Sequence, residues 1–238
     1  MSLPWIFNRH MNKNLTEIAF ILDRSGSMQS VAQAAVSGFN EFLRDQQAAP
    51  GQARLTLVLF DNEYLVPVDN IPIAEAIRLN SDTYIPRGCT ALLDAIGETI
   101  DRLGKRLEQT PEAQRPGQVI VPILTDGFEN ASERYTWKQI AAMIKHQTEV
   151  YKWEFLFLGA NQDAIATAAN LSIVASNAAT YCADEIGTRT TQRATSRKTT
   201  ALRAKAGGDR SAATMREVAA PMSEIVKEED RKGRGEEP

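Results

Sequence analysis

Thiols and imidazoles are scarce in this chain. Its 238 residues include two cysteines, Cys89 and Cys182, which lie far apart in no paired spacing. That excludes a disulfide framework and a thiolate zinc cluster, and it suits a reducing compartment. Only two histidines occur, His10 and His146, so an imidazole-based hydrolase has few candidate bases. No apolar run approaches membrane-spanning length, and the short patch "LPWIF" falls short of a signal-peptide core. A net charge of −3 gives no global pull toward nucleic acid or an anionic membrane. These absences together lead us to expect a cytoplasmic protein.

What is present is an ordinary globular balance, 43% hydrophobic and 24% charged residues, in a length that holds one sizeable domain and a tail. The run "IAFIL" (18–22) is too short for a helix and reads as a strand covered on both faces. Val31, Ala35, Phe39 and Phe42 then recur at helical spacing. "LTLVLF" (55–60) and "YLVPV" (64–68), joined by the short turn "DNE", read as an antiparallel hairpin, with Pro67 suited to an edge strand. A long amphipathic helix follows from Leu92 to Leu107, then the strand "VIVPIL" (119–124), whose Pro122 predicts a bulge or a strand end. Thr136 and Gln139 are spaced as a capping box for the next helix. "WEFLFLG" (153–159), an Ala-rich helix (161–169) capped by Asn161, and "SIVA" (172–175) complete the pattern.

Strands alternating with helices predict an α/β fold: a doubly wound, mostly parallel sheet with one antiparallel edge strand and helices on both faces. Met11, shortly before the first strand, marks residues 1–14 as an N-terminal extension ahead of a domain at 15–180. Residues 181–206 form a basic, helical segment with Arg189, Arg193 and Arg197 four apart and few large aliphatics. Residues 207–238, rich in Gly, Ala and mixed charge, read as a disordered tail.

In such a sheet ligands bind beyond the carboxyl ends of the strands. There the sequence places "DRSGSM", in which Asp23, Ser25 and Ser27 alternate. Two other loops open on the same edge: "GCTALLDAI" offers Thr90 and "LTDGFENAS" offers Asp126. Five oxygen side chains, with no His in any of the three motifs and Cys89 the one thiol beside them, make a site for a hard cation, Mg²⁺, Mn²⁺ or Ca²⁺, and a poor one for zinc. Singly, Ser27 and Thr90 read equally well as helix caps and Asp126 as a turn former.

The three motifs in this order resemble the metal-ion-dependent adhesion site of von Willebrand factor type A domains. The likeness covers roughly residues 15–180, matches all five positions, and is nearest to the compact bacterial and phage members. It implies that Ser25 and Ser27 bind the metal directly, Thr90 directly or through water, and Asp23 and Asp126 largely through water. One coordination position is then left for a partner's Asp or Glu. Arg24, Met28, Gly88, Cys89, Gly127, Phe128 and Glu129 would form the rim that meets this partner protein. Two carboxylates offset a divalent ion, and neutral hydroxyls leave it electrophilic toward an outside carboxylate. The implied role is an assembly or regulatory factor, not an enzyme.

Two other readings compete. Asp23 could be the nucleophile of a Mg²⁺-dependent phosphoryl-transfer or hydrolytic enzyme, yet the second Asp usual two residues on in such phosphatases is here Ser25. The basic stretch 189–205 could bind nucleic acid or an anionic surface, but no aromatic is interleaved for stacking, and a solvated helix face is the simpler reading. Cys89 reads as a buried inert thiol, Asp61 as a turn former, and Asp94 and Asp101 as the solvated side of their helix.

Overall fold

The structure is a computed structural model that describes residues 11–160 and 163–236. The apolar runs become one six-stranded sheet: β1 (Asn12–Asp23), β2 (Gln52–Phe60), β3 (Tyr64–Pro72), β4 (Pro116–Thr125), β5 (Glu154–Ala160) and β6 (Ala178–Tyr181), in spatial order β3-β2-β1-β4-β5-β6. Every neighbouring pair is parallel except β2 and β3, so the antiparallel strand lies at an edge, where Pro67 needs no ladder donor.

Strand alternation sorts the side chains into two layers. Ile18, Phe20 and Leu22 of β1 pack with α1 (Ala32–Ala48), α5 (Glu185–Ala206) and α7 (Met222–Arg234). Ala19 and Ile21 face α2 (Leu92–Gln109), α3 (Trp137–Tyr151) and α4 (Ala164–Asn170) on the other side. The capping box at Thr136 and Gln139 forms at the start of α3. From β1 the chain winds outward through β2 and β3, and from β4 it winds the opposite way through β5 and β6. The topological switch point is therefore the crevice between the carboxyl ends of β1 and β4.

Several expectations are corrected. β1 begins at Asn12, so residues 12–14 belong to the sheet, while residues 1–10 lie outside the described part. Pro122 sits mid-strand without a bulge: Ile18 pairs with Ile120 and Ile21 with Ile123 at one unbroken offset. "SIVA" is not a strand. Ser172 turns the backbone with φ +61°, and the Ile173 N–H donates to the Ala168 carbonyl at 2.8 Å, closing the end of α4; the strand starts only at Ala178. Asn161 lies outside the described residues, and α4 is capped instead by Asp163, which accepts from the Ala166 N–H at 2.9 Å.

The largest departure is at the C-terminus. α5 is buried along most of its length although it carries few aliphatics. Two of its hydroxyls bond back onto the helix, Thr190 onto the Ile186 carbonyl (2.8 Å) and Thr195 onto the Thr191 carbonyl (2.9 Å). Its cations are consumed internally. Arg189 and Arg193 share Glu41 of α1, Arg197 holds Glu217 and Glu229, and Lys198 donates to the Val218 and Ala220 carbonyls. Arg203 donates to the Gln46 and Gly51 carbonyls. Among the described residues, most of the cations expected on a solvated basic face are therefore paired within the fold, although Arg189 and Arg193 stay partly exposed. The segment expected to be a disordered tail forms α6 (Ala212–Ala219) and α7, which buries Met222, Ile225 and Val226 against the sheet. Spacing by three and four gave that stretch an apolar stripe that its high charge concealed.

Candidate metal centre

Asp23, the last residue of β1, is fully buried at the switch point. Its Oδ1 accepts the Ser25 N–H at 2.6 Å, and its Oδ2 accepts the Thr125 hydroxyl at 2.5 Å. The following chain turns into a short 3-10 helix, Gly26–Val31, which brings the Ser25 and Ser27 hydroxyls within 3.1 Å of each other. The Ser27 hydroxyl donates to Asp126 Oδ1 at 2.5 Å, joining the loops after β1 and β4.

Thr90 arrives on a third loop. Its backbone is bracketed by Asn130, whose side chain accepts the Thr90 N–H at 2.9 Å and whose own N–H donates to the Thr90 carbonyl at 3.1 Å. The Thr90 side chain faces Gly127 so closely that a Cβ there would stand 2.6 Å from Thr90 Oγ1 and 3.5 Å from Ser27 Oγ. The geometry thus brings all five oxygen side chains to one place. The helix-cap readings fail: α2 is preceded by Ala91, and the 3-10 helix has no side-chain cap.

The donor set fits a hard cation. Burial pushes the Asp23 carboxyl up to about 6 against the pull of the Thr125 and Ser25 hydrogen bonds, and burial also raises Asp126. Among the described residues neither carboxylate has an ion-pair partner, whereas most other buried acids here do. Two desolvated carboxylates converging without a counter-charge leave a negative hollow that a divalent ion would neutralise. Among the described residues no group of three or more His, Cys, Asp or Glu side chains is arranged to hold a metal ion, so an ion here would draw on hydroxyls as well as the two carboxylates.

The expected rim is only partly there. Phe128 is 68% exposed, Gly88 and Cys89 are exposed, and Gly127 is half-buried. Cys89 is therefore not the buried thiol expected from the sequence. Arg24 is buried and held by Asp61 at 3.0 Å, and Met28 is fully buried in the core. Glu129 is committed to backbone, accepting from the N–H groups of Leu93 (2.9 Å), Ala131 (3.0 Å) and Ser132 (2.8 Å). These three side chains are thus engaged inside the fold.

Other residues were not legible as part of the site. Thr125 orients Asp23, and the Tyr84 hydroxyl donates to the Asp23 carbonyl at 2.5 Å from beneath. Burial pushes the Tyr84 phenol well above its ordinary range, so it stays a donor. Asp94 is no solvated side chain: it accepts the N–H groups of Glu133, Arg134 and Tyr135 at 2.9–3.0 Å, fixing the loop after β4. Asp101 accepts the Tyr135 hydroxyl at 2.7 Å. The Thr-Asp-Gly context was the only available signal for Thr125, and nothing in local sequence marks the tyrosine.

No model of a known protein family matches this sequence, and no curated protein matches it. Solved structures do match in fold. The von Willebrand factor type A protein from Catenulispora acidiphila superposes with a TM-score of 0.52 at 14% identity, covering 81% of this chain and 43% of that one. Proximal thread matrix protein 1 from the mussel byssus, in a structure with a zinc-occupied MIDAS motif, gives 0.52 at 16% identity, covering 76% and 44%. A further structure of that byssus protein gives 0.51 at 15%, covering 76% and 45%. This chain spans less than half the length of each of these three structures.

Taken with the sheet order and the switch-point site, these matches define the class as a doubly wound α/β domain of Rossmann-like form. More specifically, the chain has the von Willebrand factor type A fold.

Proposed function

We propose that this protein is a divalent-metal-dependent binding module that grips an acidic side chain of a partner protein. The observation that carries the reading is the convergence of Asp23, Ser25, Ser27, Thr90 and Asp126 from three loops, with both carboxylates lacking a counter-charge. These residues would hold Mg²⁺, Mn²⁺ or Ca²⁺, and the bound ion would supply the Lewis acidity that attracts an outside carboxylate. The zinc-occupied MIDAS motif of the byssus protein, which shares this fold, supports a divalent metal.

The chain's own groups favour binding over catalysis. Asp23 is enclosed, with both carboxylate oxygens engaged by Ser25 and Thr125, an orientation that suits a fixed charge more than an attacking nucleophile. Beside Gly127 the apolar side chain of Phe128 stands exposed, while Arg24 and Glu129 are used internally. A protein surface with one acidic residue among apolar neighbours matches such a rim better than an acidic tract. An intracellular assembly or regulatory role fits the scarcity of cysteine. Among the described residues no helix is long and apolar enough to cross a membrane.

The test is capture of a glutamate-bearing peptide with apolar flanks, measured by fluorescence anisotropy in Mn²⁺. Binding that chelator abolishes and Asp126→Ala removes supports the grip. Binding that persists in chelator, or equal binding by the Glu→Gln peptide, overturns it.

A further inference from the structure

The turn between β2 and β3 is built more heavily than a hairpin requires. Asp61 is 1% exposed, and its Oδ2 lies 3.0 Å from Arg24 Nη2 and 3.0 Å from Arg87 Nε. Its Oδ1 accepts the Glu63 N–H at 2.6 Å. An ordinary turn former stays in water, and burying a carboxylate beside a buried guanidinium carries a desolvation cost that a turn does not call for. The Nε of Arg24 even lacks a hydrogen-bond partner among the described residues.

The backbone shows what this cluster holds. The Asp61 carbonyl accepts the Ala91 N–H at 3.1 Å, and the Asn62 side chain accepts the Cys89 N–H at 2.8 Å. Cys89 and Ala91 are the two neighbours of Thr90. On the other side, the Arg24 N–H donates to the Phe60 carbonyl at 2.8 Å, and the Arg24 carbonyl accepts the Arg87 N–H at 2.9 Å. Arg24 lies between Asp23 and Ser25. The 61–63 turn therefore grips the chain on both sides of Thr90 through backbone and Asn62, and holds Arg24, between two other site residues, through its side chains, while supplying none of the five oxygens itself. Glu63 completes the cluster with ion pairs to Arg24 and Arg87, so two acids offset two cations and no net charge is added beside the site.

We propose that Asp61 is a positioning residue for the metal site: its carboxylate locks Arg24 to Arg87 and so fixes the turn whose carbonyl holds the Ala91 N–H, which sets where the Thr90 hydroxyl stands relative to Ser25 and Ser27. This rests on the metal-binding reading above. Asp61 acts through Thr90, so its contribution depends on that hydroxyl being present.

The experiment is a double-mutant cycle on Mn²⁺ affinity, measured by calorimetry for wild type, Asp61→Asn, Thr90→Ala and the double variant. Asp61→Asn is expected to raise Kd about tenfold in the wild-type background and less than about twofold in the Thr90→Ala background. An equal loss in both backgrounds shows a general effect on folding and overturns the proposal, as does an Asp61→Asn variant that binds like wild type. Arg87→Gln, at a half-exposed position, breaks the same clamp without stranding a buried charge, and it serves in the same cycle if Asp61→Asn fails to fold. Absence of Mn²⁺ binding by wild type would overturn the metal reading and this proposal together, whereas wild-type binding unaffected by either clamp variant overturns this proposal alone.

Discussion

The Thr125 hydroxyl donates to Asp23 Oδ2 at 2.5 Å, tying the carboxyl end of β4 to that of β1 across the switch point. The same oxygen accepts the Gly127 N–H at 3.3 Å, so one side chain fixes both a carboxylate and the loop that carries Asp126. Thr125→Val keeps the shape and removes both bonds. Metal affinity is expected to fall about tenfold, read by calorimetry, with a circular-dichroism spectrum like wild type. Unchanged affinity would show that Asp23 needs no such orientation.

Gly127 is required by close approach. A Cβ at this position would meet Thr90 Oγ1 at 2.6 Å, inside normal contact. Gly127→Ala must displace Thr90 or the loop, and we expect it to cost about 1–3 kcal/mol of stability along with a clear loss of metal affinity. Wild-type behaviour in both urea unfolding and Mn²⁺ titration would count against the packed geometry.

Glu17, at the other end of β1, gives a pH signature. Burial pushes its carboxyl from 4.5 up to about 7, with Arg106 the chief opposing influence. Arg106 lies 2.7 Å away but is shared with Asp69 and partly exposed, so burial wins. The folded state then holds this proton more tightly than the unfolded chain does. The resulting stability is complete below about pH 4.5 and is lost as pH rises through about 7. Glu17→Gln lacks this loss, so its stability relative to wild type should increase by up to about 3 kcal/mol between pH 4.5 and 8. A difference that stays constant across urea unfolding curves in that range would refute the assignment.

The C-terminal helices are part of the core. Met222, Ile225 and Val226 of α7 are buried against the sheet, and Lys198 of α5 ends on carbonyls of the segment joining α6 to α7. Three such side chains contribute about 4 kcal/mol or more, a large share of a typical domain's stability. Truncation after residue 207 is therefore expected to lower the melting temperature sharply and expose dye-binding apolar surface. An unaltered melting curve would return this segment to the role of a tail.

Where apolar runs and helical spacing carry the information, the fold was legible in the sequence. β1, β2, β4 and β5 are continuous hydrophobic stretches, and α2 shows its stripe from Leu92 to Leu103. The convergence of three oxygen-bearing loops was legible for a related reason, since doubly wound topology sends them to one edge. What escaped depends on partners distant in sequence. α5 looks solvated until Glu41, Gln46 and Glu217 are brought to its cations, and Asp61 looks like a turn former until Arg24 and Arg87 close on it. Local composition cannot distinguish a charge that faces water from one that meets its counter-charge in the fold.

The most direct test is calorimetric titration of metal-stripped protein with Mn²⁺, Mg²⁺ and Ca²⁺, alongside a Ser25→Ala/Ser27→Ala variant and with an acidic, apolar-flanked peptide present and absent. The account predicts one ion per chain, bound more tightly when the peptide is present and lost in the variant. No ion bound with the peptide present, or equal binding by the variant, would contradict it.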